Sequence, residues 1–251
     1  MPVANFRFYA ELNDFLPPER RFTEFAYGFL DVATVKDRIQ SFGVPHTEVD
    51  LILVNGEPVD FAYRVQDGDR IAVYPVFEAF DISGLTRLRP LPLRDPRFVL
   101  DVHLGRLAAY LRMLGFDVLY WNQCTDERLA DISRGERRSL LTRDVGLLKR
   151  GAVTHGCYIR ATKPRQQLLE VVRRFDLASL IEPFSRCLRC NTLLAHADKE
   201  QVRQQLPAQV ALLHDEFLRC PDCGRAYWKG GHFRRMSQWI DSNIRTPAVA
   251  R

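Results

Sequence analysis

Two short motifs, CLRC at 187–190 and CPDC at 220–223, place the tightest condition on this fold. Each is a C-x2-C knuckle, and 29 residues separate them. Two such knuckles offer four thiolates to one tetrahedral ion, the arrangement of a structural zinc site with no open position. A redox disulfide needs only one pair, so two pairs at this distance point to a shared metal. Cys187, Cys190, Cys220 and Cys223 are therefore the expected zinc ligands, and Cys124 and Cys157 are left as reduced thiols. The chain must bring 187–190 against 220–223, which predicts a compact zinc ribbon over 183–240 and a flexible tail over 241–251.

Upstream of the knuckles, strands alternate with helices. FVL (98–100) reads as a short strand ending at Asp101. Leu104, Leu107, Ala108, Leu111 and Leu114 fall on one helical stripe, which Gly115 can stop. FDVLYW is the next strand, and TDERLADIS opens a helix with Thr125 as its cap. SLLT (139–142) and GCYIRA supply two more strands, and KPRQQLLEVVRRF a helix with Pro164 in its first turn. This alternation predicts a parallel sheet with helices on its faces over 97–182.

The first 80 residues read differently. NFRFYAEL alternates as a half-buried strand, and RRFTEFAYGF can pair with it. TVKDRIQSFG has Thr34 and Asp37 placed as a capping pair and Gly43 as a stop. EVDLILVNGEPV runs into an Asn-Gly turn, and VQDGDRIAVYPV repeats the theme with Asp-Gly. Strand–strand–helix–strand–strand is a β-grasp order, so 1–80 is expected to be a ubiquitin-like domain. It resembles the ubiquitin-like sulfur carriers, which end in a free Gly-Gly tail. Here the corresponding segment is VFEAFDISG and the chain continues, so sulfur transfer is not expected. A docking or packing role, with a protein partner, is. Residues 81–96, with three prolines, form the expected linker; Leu85, Leu88, Leu91 and Leu93 in it need cover.

In parallel α/β sheets ligands bind beyond the carboxyl ends of the strands. Asp101 and Asp144 lie there, and Asp126 and Glu127 open the helix after the second strand. Three loops should thus bring carboxylates to one rim. Clustered carboxylates repel unless a cation neutralises them, and Mg²⁺ or Mn²⁺ takes such oxygen ligands. One metal ion, or two about 3.5–4 Å apart, would suit phosphodiester hydrolysis. Each acid also has a bland use: Asp126 at a helix N-terminus, Asp144 and Asp101 as caps. FVLDVHLGRLAAYLRMLGFDVLY, TDERL and LLTRDVGLLKR, followed by the two cysteine pairs, resemble the Mut-seven C-terminal RNase family, PIN-like nucleases whose bacterial members often carry a ubiquitin-like domain in front. The resemblance implies a PIN-like domain whose acidic site falls on Asp101, Asp126 and Asp144. A fourth acid stays open among Glu127, Asp117 and Asp131.

Charge agrees with a polyanionic substrate. Residues 1–80 carry 7 Lys/Arg against 13 Asp/Glu, and 81–251 carry 29 against 18. Arg106, Arg143, Lys149 and Arg150 are the candidate phosphate contacts. Tyr227, Trp228 and Phe233 among Arg225, Lys229, Arg234 and Arg235 either stack on single-stranded RNA or fill the ribbon's core. The expected function is metal-dependent RNA hydrolysis; the alternative is a non-catalytic RNA-binding adaptor. No apolar run is long enough for a membrane span. MPVANFRFYAEL lacks the pattern of a signal peptide, so a cytoplasmic protein is expected.

Overall fold

The computed structural model describes residues 1–75, Leu88 and 96–245. The expected linker lies outside the described residues save Leu88 and Pro96, as do VFEAFDISG (76–84) and the tail beyond Arg245. The chain divides into two compact units, Met1–Asp95 with Cys124–Tyr158, and Pro96–Gln123 with Ile159–Arg251.

The N-terminal sheet contains β1 (Val3–Phe8), β2 (Glu24–Gly28), β3 (Val49–Val54), β4 (Glu57–Pro58) and β5 (Arg70–Pro75). Its order is β2-β1-β5-β3-β4, with β1 and β5 parallel and the other pairs antiparallel. That is the β-grasp arrangement. Helix α1 (Val35–Ser41) starts at a complete capping box: the Thr34 hydroxyl accepts from Asp37 N and the Asp37 carboxylate accepts from Thr34 N. Such a cap stabilises by about 0.5–2 kcal/mol. Val35 and Ile39 then face Phe6, Phe8, Ile52 and Val73 in one core, and Leu88 packs against it. At the β3–β4 turn, Asn55 and Gly56 both take positive φ (52° and 93°), as a tight hairpin requires. The Asp-Gly turn at 67–68 makes no hairpin. It feeds β5 into the slot between β1 and β3, and the Asp67 carboxylate holds Val3 N across it at 2.7 Å.

The second sheet has four strands, β6 (Arg97–Leu100), β7 (Asp117–Leu119), β8 (Ser139–Thr142) and β9 (Gly156–Tyr158). β6 pairs with β7, and β8 with β9, both parallel. Helices α2 (Gly105–Met113), α3 (Asp126–Gly135), α4 (Val145–Lys149) and α5 (Pro164–Arg174) alternate with them. The five-residue stripe of α2 is buried as the 3.6 period demands, and α2 packs on α5 and β7. Phe98 on β6 meets Phe116 and Phe175 edge-on. α3 and α4 pack on β8.

The ribbon adds β10 (Ala195–Ala197), β11 (Phe217–Arg219) and β12 (Ala226–Tyr227), antiparallel in that order. A C-terminal helix, Gly231–Ile240, follows, continued by a π-helical turn over Asp241–Arg245. Among the described residues no helix is long and apolar enough to cross a membrane.

Gly115 ends α2 at φ +99°, and a Cβ there would lie 2.3 Å from the carbonyl oxygen of Glu182. Both backbone strain and a clash with main chain oppose any side chain. Gly115→Ala is expected to lose about 1–3 kcal/mol in urea unfolding. An unfolding midpoint equal to wild type would show that this turn relaxes freely.

Candidate functional site

The cysteine knuckles are built alike. In each, the residue after the second cysteine takes a left-handed conformation, Asn191 at φ 72° and Gly224 at φ 71°. Each of these donates its N–H to the carbonyl of the first cysteine, Asn191 to Cys187 at 3.0 Å and Gly224 to Cys220 at 2.9 Å. Asn and Gly are the residues that visit this region at least cost. The turns aim all four sulfurs inward, each within 4.8 Å of the others. Cys190 Sγ is 3.3 Å from both Cys187 Sγ and Cys220 Sγ, and Cys187 Sγ is 3.6 Å from Cys223 Sγ. Tetrahedral zinc with 2.3 Å bonds sets its sulfurs about 3.8 Å apart, so these four need move only slightly to hold it. Thiolate donors are also what zinc prefers.

A second layer supports the sulfurs. The Tyr227 hydroxyl sits 3.1 Å from Cys187 Sγ and accepts from Leu188 N. Burial by itself would raise the Cys187 thiol; hydrogen bonds from Tyr227 and from backbone N–H groups of the knuckle outweigh it and bring it to about 6. Burial, and then the bond to Cys187, push Tyr227 well above the ordinary phenol range. Phe184 packs edge-on against both Tyr227 and Phe233, and Trp228 covers the other half of the ribbon's core. Tyr227 is buried in this core, Trp228 and Phe233 are half-buried against it, and Arg225, Lys229, Arg234 and Arg235 are exposed.

The α/β module holds this centre through a residue the sequence reading passed over. Arg112, on the buried side of α2, is 5% exposed. Its guanidinium donates to Val118 O on β7 (3.0 and 2.8 Å) and to Leu188 O and Arg189 O inside the first knuckle (3.1 and 2.8 Å). Asn191 completes the join, accepting from Val118 N and donating to Asp117 Oδ1. A charged residue between Leu111 and Met113 looks like solvated helix surface in the sequence. The signal available was its place beside the apolar stripe.

The expected acidic residues divide by role. Asp101 follows β6 directly, is 6% exposed, and its carboxylate does not cap the turn after it. Asp144 does cap: its Oδ1 accepts from Gly146 N at 2.6 Å and Leu147 N at 3.2 Å. Among the described residues its Oδ2 has no hydrogen-bond donor, and the residue is exposed. Asp126 opens α3 after the Thr125 cap, with its Oδ2 3.6 Å from Arg150, which also binds Glu127 at 2.9 Å. Of the candidates for a fourth acid, Asp117 is engaged with Asn191 at the start of β7, Asp131 is exposed along α3, and Glu127 is held below the usual carboxylate range by its own backbone N–H and by Arg150.

The candidate phosphate contacts are used unequally. Arg150 pairs with acids, and Lys149 donates to Gln40 O at 2.8 Å, its amine lowered by burial. Arg143 is half-buried beside Asp144. Arg106 is exposed and, among the described residues, pairs with no carboxylate. It lines a cleft of ≈ 450 Å³ with His103, Tyr120, Asn122, Thr162 and Gln167. These residues follow the carboxyl ends of β6 and β7 or lead into α5. The lining contains a guanidinium, an imidazole, hydroxyls and amides but no Asp or Glu. Such a surface favours an anion, and it begins one residue after Asp101.

Residues 96–240 match the model of the Mut7-C RNAse domain, and residues 1–81 that of the Mut7-C ubiquitin domain. No curated protein and no solved structure gives a significant match.

Two variants test the centre. Cys187→Ser should bring bound zinc below one ion per chain in metal analysis. Arg112→Met strips donors from three carbonyls, the buried one of Val118 among them, and should lower stability by about 3 kcal/mol in urea unfolding. Full zinc in the first, or unchanged stability in the second, would contradict the arrangement described.

Proposed function

The chain belongs to the Mut7-C RNAse domain family, and on that premise we propose that it is a metal-dependent ribonuclease. Asp101, Asp126 and Asp144 are the proposed ligands of Mg²⁺ or Mn²⁺, and Cys187, Cys190, Cys220 and Cys223 those of a structural zinc. The observation that carries the reading is the acid-free, cation-lined cleft that starts beside Asp101. Carboxylate oxygens are the donors that hard divalent cations select. When bound, the ion supplies a water of lowered pKa and charge for the leaving oxygen.

The chain's own groups do the rest. Arg106 and His103 hold the phosphate from the cleft side and offset its charge. Asp144 spends Oδ1 on its own helix and keeps Oδ2, so capping and ligation use different atoms of one carboxylate. Arg150 balances Asp126 and Glu127; partly exposed pairs of this kind are worth about 0–1 kcal/mol, weak enough to yield to a cation. The adaptor reading loses support because Tyr227 and Phe233 are committed to the ribbon core. Two reduced thiols, Cys124 and Cys157, beside four proposed zinc ligands suit a reducing compartment, so we place the protein in the cytoplasm.

Asp144→Asn is the decisive variant. Asn caps nearly as well as Asp, so stability should change by less than about 0.5 kcal/mol. Cleavage of labelled single-stranded RNA with Mg²⁺ or Mn²⁺ should fall at least about 100-fold, while RNA binding persists or tightens with a negative charge removed. Cleavage at the wild-type rate would overturn the assignment of Asp144. Wild-type protein that binds RNA and never cleaves it would favour the adaptor.

A further inference from the structure

The family models divide the chain at residues 81–96, but the compact units do not. Residues 124–158, which carry Asp126 and Asp144, group with the β-grasp domain. The contacts responsible are specific and polar. Gln40, at the end of α1, and Lys149, the last residue of α4, bond reciprocally: Gln40 Nε2 donates to Lys149 O at 3.0 Å, and Lys149 Nζ donates to Gln40 O at 2.8 Å. His46 Nε2 lies 2.9 Å from Val153 O in the next loop. Glu48, fully buried, accepts from Tyr158 N at the end of β9 at 2.6 Å. Phe15 meets the Tyr158 ring edge-on.

Helix α4 has five residues, far below the roughly 12 at which an isolated helix becomes stable. Asp144 caps its first turn and Lys149 is its last residue, so holding the C-terminal end helps to aim the carboxylate at the other. The β-grasp domain holds that end in both hydrogen-bonding directions, and it fixes the following loop and strand as well. We propose that the N-terminal domain is an intramolecular clamp for the Asp144 helix, with Gln40 and Glu48 as positioning residues of the nuclease site. The first partner of the ubiquitin-like domain is then the chain's own segment 145–158. The link to turnover rests on the proposed function; the link to the order of α4 does not.

The experiment uses the full chain with Gln40→Ala, Glu48→Ala and Glu48→Gln. It reads amide hydrogen exchange at Leu147 and Leu148, whose N–H groups bond to Asp144, together with the kinetics of RNA cleavage in Mn²⁺. In both alanine variants exchange should rise about two- to tenfold, the range set by one lost hydrogen bond. The kcat should fall severalfold with KM for RNA unchanged, since neither residue is proposed to touch RNA. Glu48→Gln should recover most of the loss, because its amide oxygen still accepts from Tyr158 N. Wild-type exchange at Leu147 and Leu148 in the folded alanine variants would overturn the clamp. If Glu48→Ala fails to fold, Gln40→Ala, at a half-buried position, decides alone. Faster exchange with no cleavage by any form, wild type included, would uphold the clamp and sink the nuclease reading.

Discussion

The Arg112 guanidinium is the interaction on which the second unit depends. A buried cation without compensation is costly, and here compensation comes from two sides. Val118, Leu188 and Arg189 supply carbonyl acceptors. Burial pulls the pKa of Arg112 below the ordinary guanidinium value, and the charges of Cys187 and Cys190 oppose that drift. A divalent ion with four thiolates carries about two net negative charges, so metal loading and burial of Arg112 favour each other. The ribbon is thus fastened to α2 and β7 by electrostatics as much as by packing, and its apolar clusters are small. Removing the metal should loosen a strand edge as well as the ribbon.

Much of this architecture was legible in the sequence because local signals and tertiary needs agree. Thr34 with Asp37, Asn55-Gly56, Gly115 and Pro164 each act where the chain's chemistry placed them. The SLLT strand and the α2 stripe came out at their expected residues. The misses share one physical cause: a charged side chain has no periodicity that announces its partner. Arg112, for which the sequence offers no partner, and Lys149, a candidate phosphate contact, both donate to backbone carbonyls of distant segments. The Asp-Gly turn failed as a hairpin signal for a related reason. Turn chemistry is local, whereas the parallel partner of β5 lies some 65 residues earlier, in β1.

Asp144 shows why a bland reading and a functional one need not exclude each other. The opening question for any strand-end carboxylate is whether a helix cap exhausts it. A cap occupies one oxygen, and the cap itself fixes the rotamer that aims the other. Pre-organisation of that kind lowers the cost of binding an ion, because the side chain is already ordered. Asp101 is arranged differently: it is buried, and its carboxylate does not cap the turn that follows it. Asp126, paired with Arg150, is held by charge. Under the proposed function, the cap on Asp144 and the Arg150 pair of Asp126 would orient two of the three ligands before an ion arrives.

Where the aromatic side chains go limits what kind of RNA recognition the proposed function can use. With Tyr227 buried and Phe233 half-buried against Phe184, the exposed side chains of this stretch include Arg225, Lys229, Arg234 and Arg235. Such a surface reads phosphates, which position a strand but carry no sequence information. Lys229 is in addition partly satisfied by Glu216. Under the proposed function, discrimination among nucleotides falls to the cleft, where Asn122, Gln167 and Thr162 bring amide and hydroxyl groups near Arg106. Gln167 is buried and already spends its Nε2 on Ala161 O, which holds its side chain in place. The cleft therefore sets the Arg106 guanidinium beside a small set of polar groups held by the fold, and under the proposed function a base or sugar preference would have its physical source there.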